Sequence, residues 1–336
     1  MSSVRSSIWP SSSTSRHAAL AAALLVAASC VRVPTPAPLA PGACPRPGAW
    51  ILPDSRRLMG LDGVIAGAAE RRIVLLGERH DWPDHHRWQL HVLAALAASG
   101  RPLVLGFEAF PRAAQPVLDE WSGGAMEAAA LLERTDWERI WGGDPDLYLP
   151  LLHFARMHRV PVVALNVPRS LVRAVSRGGW ASVPPGERLG LDAPAPVHPA
   201  QRARLAEAYE AHRCAPAPPE ALERFVEAQL VWDRAMASAL AEAAESHPDA
   251  TVVAIVGDGH AERPGGIAHQ LAALGAPEPL VLLPWDVTPP CAAIPPGVAD
   301  AVFAVVPLAS ERPPPHPSPC DPPAKAQTPA EADPPR

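Results

Sequence analysis

The sequence predicts an α/β fold: a mainly parallel central sheet covered by helices on both faces, with its ligand site at the carboxyl ends of the strands. Three observations carry this. Short, continuously apolar runs recur along the chain, as strands buried on both faces require. Segments with apolar residues at helical spacing separate them. Polar, chemistry-bearing residues stand where the runs stop, the place where such sheets gather ligands.

The elements follow in order. Ile73–Leu76 (IVLL) is the first strand, and Pro83–Ala98 the helix after it, with Asp81 or Asp84 placed to cap its start. Leu103–Phe107 (LVLGF) is the second strand, followed by helices over Arg112–Trp121, Met126–Arg134 and Asp146–His158. Val160–Leu165 (VPVVAL) is the third strand. Arg202–Cys214 and Glu220–Glu245 are helical, and Thr251–Val256 (TVVAIV) is the fourth strand. Gly266–Leu274 is a helix, and Leu280–Leu283 and Val302–Val306 are edge strands.

The flanks read differently. Forty-four prolines are unevenly placed, with Pro-rich stretches at Val33–Pro47 and Pro307–Arg336. Proline removes a backbone donor and fixes φ, so neither stretch builds helix or central strand. Arg5 and Arg16 precede the apolar run Ala18–Ala28, which is too short for a membrane span and has the length of a signal-peptide core. The "AASC" ending at Cys30 resembles a bacterial lipobox, whose Cys becomes the lipidated first residue. The expected organisation is a signal peptide over 1–30, a Pro-rich tether over 31–49, one α/β domain over 50–306 and a disordered tail over 307–336. Such a chain is exported. It sits in the cell envelope, lipid-anchored at the outer membrane facing the periplasm, or it is periplasmic. With Cys30 lipidated, Cys44, Cys214, Cys291 and Cys320 remain, allowing three pairings. No CxxC occurs, which argues against a thiolate metal site. The net charge of -6 and the lack of a basic stripe argue against nucleic acid.

The strand ends carry the chemistry. The first strand ends in Gly77-Glu78-Arg79-His80, the second in Glu108, the third in Asn166, and the fourth in Gly257-Asp258-Gly259-His260. Two strands thus finish in Gly-x-x-His, each glycine letting the chain turn as it leaves the sheet. Two histidines and carboxylates from separate strand ends suit Zn, Mn, Fe or Co. Which of these carboxylates would join the histidines on a metal is open, and one that is not a ligand could act as general base on a metal-bound water. The plain alternative for each histidine is a loop residue bonded to backbone.

Five blocks, "VLLGERHDWPDHHRWQLHVLAAL", "LGFEAFPRAAQPVLDEW", "ALNVPRSLVRAV", "EAQLVWDRAMASAL" and "VVAIVGDGHAERPGGIAHQL", resemble the ChaN-like haem-binding uptake lipoproteins of the Tiki and erythromycin-esterase superfamily. They occur in the family's order across Ile73–Leu274. Asp258 replaces the family's Asn in Gly-Asn-Gly-His, a second acid able to change ligand preference. The resemblance implies haem binding linked to iron uptake. It also implies, through the hydrolytic relatives, metal-dependent ester or amide hydrolysis, in which His80, His260 and Glu78 form the expected ligand set for a divalent transition metal and Glu108 activates water. For haem it implies a tyrosine ligand, and of Tyr148 and Tyr209 the former follows a family-like "WGGDPDLY".

Further residues have two readings each. His85 and Gln89 share a helix face and either point in beside His80 or form a solvated first turn. Asn166 and Arg169 suit an anionic group such as a propionate or phosphate, or Arg169 caps local structure. Gln229 and Asp233, four apart, orient a ligating histidine or line a solvated face. The tryptophans stack on a porphyrin or fill the core. A haem held between two chains, as a homodimer, would have both faces of its apolar plate covered.

Overall fold

Every residue of the central strands is buried, which only a sheet covered on both faces allows. The computed structural model describes residues 37–40, 42–211 and 218–311. The expected signal peptide with Cys30, and also Cys214, Cys320 and the tail from residue 312, lie outside the described residues.

The strands are β1 (Trp50–Leu52), β2 (Arg57–Met59), β3 (Ile73–Glu78), β4 (Leu103–Pro111), β5 (Val162–Asn166), β6 (Thr251–Gly257), β7 (Leu280–Asp286) and β8 (Ala301–Val305). They form one sheet in the order β2-β1-β8-β7-β3-β6-β4-β5. The six strands from β8 to β5 run parallel. The β1–β2 hairpin joins β8 antiparallel.

The helices are α1 (Leu61–Ala69), α2 (Pro83–Ala98), α3 (Gln115–Gly123), α4 (Ala128–Arg134), α5 (Trp137–Ile140), α6 (Pro145–His158), α7 (Arg169–Gly178), α8 (Pro199–Ala211), α9 (Pro219–Ser246), α10 (Asp258–Ala261) and α11 (Gly266–Ala273). Alternation along β3 shows the layering. Val74 and Leu76 enter a core with Trp88, Leu93, Trp121 and Leu151 from α2, α3 and α6. Ile73 and Leu75 enter the opposite core with Met236, Leu240, Ile267 and Leu271 from α9 and α11. A third cluster packs Leu171, Val172 and Val175 of α7 on Val231 and Ala235 of α9. The α/β class and the covered parallel sheet are as the sequence predicts.

Several details differ. β7 and β8 are interior strands, and the edges are β2 and β5. The hairpin that covers β8 has three-residue strands, too short to show a period. β4 runs on to Pro111, its register with β5 shifting between Phe107 and Pro111, so Glu108 sits inside an irregular strand end. Neither Asp81 nor Asp84 is the N-cap residue of α2. Its N-cap is Trp82, with no side-chain cap bond. Pro83 at its first turn has no N–H to satisfy there, and Asp84 pairs instead with Arg87, 2.9 Å away.

The expected tether is shorter than its composition suggests. Leu39 N donates to the Arg56 carbonyl at 2.9 Å, Gly48 N to the Ala304 carbonyl at 2.8 Å, and Cys44 is disulfide-bonded to Cys291. That bond joins positions 247 apart in sequence, and closing so long a loop restricts the unfolded chain strongly. A Cys44→Ser, Cys291→Ser variant is expected to lose about 2–5 kcal/mol in urea denaturation. An unchanged midpoint would show that the crosslink is dispensable.

Candidate functional site

β3 and β6 are neighbours in register, Glu78 opposite Gly257, so their two Gly-x-x-His ends emerge side by side. The glycines act by close approach rather than by turning the chain, since neither has a positive φ. A Cβ on Gly257 would lie 3.0 Å from His80 Cε1, and one on Gly77 would lie 2.3 Å from Leu283 Cδ2.

Glu78 is buried at the end of β3, 2% exposed. Its Oε1 accepts from the Tyr148 hydroxyl at 2.6 Å and from His80 Nδ1 at 2.9 Å. Its Oε2 lies 3.3 Å from His86 Nδ1, and His86 Nε2 donates to the His80 carbonyl at 3.0 Å. Burial alone would raise the Glu78 pKa, but His86, His80 and Tyr148 together hold it at about 2. Because a carboxylate only accepts, His80 Nδ1 carries a proton and Nε2 faces away from Glu78.

A second pair repeats the arrangement. His260 Nδ1 lies 2.6 Å from Asp233 Oδ1, and Asp233 Oδ2 accepts from Gln201 Nε2 at 2.7 Å. Both outer nitrogens meet one carboxylate oxygen: His260 Nε2 is 3.6 Å and His80 Nε2 4.0 Å from Glu108 Oε1. Glu108 Oε2 is fixed by the Gly257 N–H at 2.7 Å. Burial works against charge on either histidine. For His80 the Glu78 hydrogen bond and Glu108 outweigh it, and for His260 Glu108 and Asp233 do, raising each to about 9.

These groups form one end of a cavity of about 710 Å³ at the carboxyl edge of the sheet. Trp141, Trp232, Ile140 and Val167 give it apolar walls, and Arg139, Arg169 and Arg173 also line it. Each histidine meets a tryptophan edge to face, His80 with Trp141 at 4.7 Å and His260 with Trp232 at 6.0 Å.

Of the sequence-predicted residues, His80, His260, Glu108, Asn166 and Arg169 line this cavity, and Asp233 orients His260. Asn166 spends its amide on backbone, donating to the Glu108 carbonyl at 3.0 Å and accepting from Val167 N at 2.8 Å. The expected ligand set of His80, His260 and Glu78 is not brought together. Glu78 lies on the Nδ1 side of His80, so it orients that ring instead of joining it around an ion or touching a substrate. Among the described residues no three His, Cys, Asp or Glu side chains are arranged to hold a metal ion.

Tyr148 also departs from expectation. It is buried behind Glu78 and does not line the cavity, and burial and the Glu78 charge raise its hydroxyl pKa well above the usual value. It positions Glu78 rather than offering a phenolate. His85 turns into a separate small recess with Arg79, Trp82, Asp258 and Trp285. Its Nδ1 accepts from Arg79 N at 2.9 Å, and burial with the Arg79 charge lowers its pKa to about 3. Gln89 Nε2 points back at the Leu76 and Gly77 carbonyls, at 3.3 and 3.4 Å. Gln201, not Gln229, is the amide that holds Asp233. Sequence reasoning misses Gln201, Arg139 and Arg173, and it gives His86 no role of its own. His86 stands in the same histidine-rich stretch as His80, while Gln201 on α8 has no local signal linking it to α9.

A family profile described as haem-binding uptake, Tiki superfamily, ChaN matches residues 64–271. Among solved structures, ChaN of Campylobacter jejuni with cofacially bound haem is 18% identical, with 76% of this chain and 95% of that chain covered and a TM-score of 0.61. The likeness at that identity is one of fold. The type III effector HopBA1 is 14% identical over 74% of this chain and 94% of that one, with a TM-score of 0.44. A mutant of the erythromycin esterase EreC in its open conformation is 11% identical over 70% and 77%, with a TM-score of 0.42. No curated protein sequence matches.

Stability is expected to fall on both sides of about pH 6.5. His85 and Glu78 have depressed folded pKa values, so their contribution is complete only above the unfolded values of 6.5 and 4.5. It is lost as pH falls toward about 3 and about 2. His80 and His260 have raised values, so theirs is complete below 6.5 and lost as pH climbs through about 9. Thermal melting across pH 4–10 checks this, and a His260→Gln variant should flatten the alkaline side.

Proposed function

The chain belongs to the haem-binding uptake family of the Tiki superfamily, ChaN, and from that premise we propose that it is an exported haem-binding protein serving haem or iron acquisition at the cell envelope. One observation carries the reading. A carboxylate-oriented imidazole, His80, presents Nε2 into a large cavity walled by tryptophans. Haem iron takes an imidazole nitrogen as axial ligand, and a carboxylate on the far nitrogen orients such a ligand and strengthens its basicity. Trp141 and Trp232 supply apolar faces suited to a porphyrin plate. His80 is the better placed of the two histidines, its side chain being 44% exposed against 13% for His260.

That half-exposed position suits a plate whose second face is covered by another copy of the chain, as a homodimer. The lipobox-like AASC ending at Cys30 and the apolar run before it support a lipid anchor in the envelope.

A second reading is hydrolysis of an ester or amide. Two carboxylate–imidazole pairs facing a single Glu108 oxygen favour it, because such groups can pass protons to and from a reacting water. There Glu108 is the base, His80 and His260 share its proton, and Glu78 and Asp233 hold the imidazoles.

Two measurements separate these readings. Haem titrated into the full-length protein should shift the Soret band, and His80→Ala should weaken binding at least about tenfold. No Soret shift would sink the haem reading. If the protein cleaves a p-nitrophenyl ester, Glu108→Gln should slow it about 100-fold or more. Cleavage indifferent to that change would sink the hydrolytic site.

A further inference from the structure

α7 begins at the cavity mouth with Arg169 and places Arg173 one turn further along the same face. Some exposed arginines of the described residues sit on carboxylates, as Arg87 does on Asp84 and Glu311 and Arg134 on Glu120. Arg169 and Arg173 do not. Among the described residues neither has a carboxylate within ion-pair distance, and Arg169 reaches the Trp141 carbonyl at 3.4 Å. Arg139 of α5 lines the same cavity, shared with Asp136.

Two like charges held side by side repel, and the start of α7 adds the partial positive charge of a helix N-terminus. The cavity's one lining carboxylate among the described residues, Glu108, is turned to the histidines and Gly257 at the floor. In a chain of net charge -6, this mouth is a local concentration of unneutralised guanidinium.

We propose that Arg169 and Arg173, joined by Arg139, clasp paired anionic groups on the edge of the ligand and so fix its orientation in the cavity. For haem these groups are the two propionates, which leave one edge of the porphyrin side by side. Guanidinium forks match carboxylates bidentately, and arginines four apart on a helix have Cβ atoms about 5–6 Å apart, the scale of two such carboxylates. The propionate edge then lies at the mouth and the apolar edge between the tryptophans. The identity of the ligand rests on the haem reading; the demand for an anion rests on the arginines alone.

The test uses the full-length protein with haem and with haem dimethyl ester, whose propionates are uncharged. Haem should bind about 10- to 100-fold more tightly than the diester. Arg169→Ala with Arg173→Ala should remove most of that difference by weakening haem and leaving the diester unchanged. Lysine at both positions should restore part of it. Both arginines are exposed, and circular dichroism confirms that the variants fold. Equal binding of haem and diester overturns the clasp while leaving haem binding intact. If neither binds, the haem reading fails, and pyrophosphate decides the clasp. A melting-temperature rise lost in the double alanine variant supports an anion clasp serving a phosphorylated ligand, and no rise overturns it.

Discussion

A carboxylate cut off from water is held ionised at the end of β3, and the geometry of the site follows from it. An isolated buried carboxylate is costly, and ordinarily picks up a proton. Glu78 stays charged because three side chains converge on it, from the strand's own exit turn, from α2 and from α6. His86 does two jobs at once, approaching Glu78 and bonding the His80 carbonyl. The turn after β3 is thereby folded back onto its own strand end, and the ring of His80 is left a single orientation. On β6 the same result is reached through a long helix, with Asp233 of α9 and Gln201 of α8 fixing His260. Parallel register places the two outcomes side by side.

What the sequence made legible divides along a physical line. Buried parallel strands leave uninterrupted apolar runs, so β3, β4, β5 and β6 are readable, and so are the polar residues at their ends. The hairpin is not, because three residues carry no period. α7 does carry Leu171, Val172 and Val175 at helical spacing, a signal that its arginines and the preceding Pro168 obscure. Within the site, residue type and position on a strand end identify His80, His260 and Glu108. The side of an imidazole on which a carboxylate falls is a matter of three-dimensional approach. The family resemblance offers Glu78 as a ligand and Tyr148 as an iron donor, whereas both stand behind His80.

Asp258 illustrates the limit of motif reading. In the family's motif this position is Asn, and a second acid there suggests an altered donor set. Its side chain instead faces Arg79 at 3.6 Å and lines the recess that holds His85. Burial raises its pKa while Arg79 opposes the rise. The pair ties the two Gly-x-x-His turns together on the side away from the cavity. It is a partly exposed pair of the kind that contributes little on its own, and the Asp258 charge adds to the rise of the His260 pKa.

Charge balance in the cavity bears on what the site is built to receive. Three carboxylates, Glu78, Asp233 and Glu108, surround two imidazoles. With both rings protonated the group is nearly balanced, and each ring's outer proton lies toward Glu108. A ligand that takes His80 Nε2 displaces such a proton and leaves the carboxylates in excess. A positively charged iron centre replaces the lost charge at the same nitrogen, whereas a neutral ester does not. The same nitrogen cannot ligate iron and accept a proton from water together, so haem capture and hydrolysis exclude one another at His80. The carboxylates that make the two histidines basic thus make the site a better host for a cationic centre held by an imidazole than for a neutral substrate.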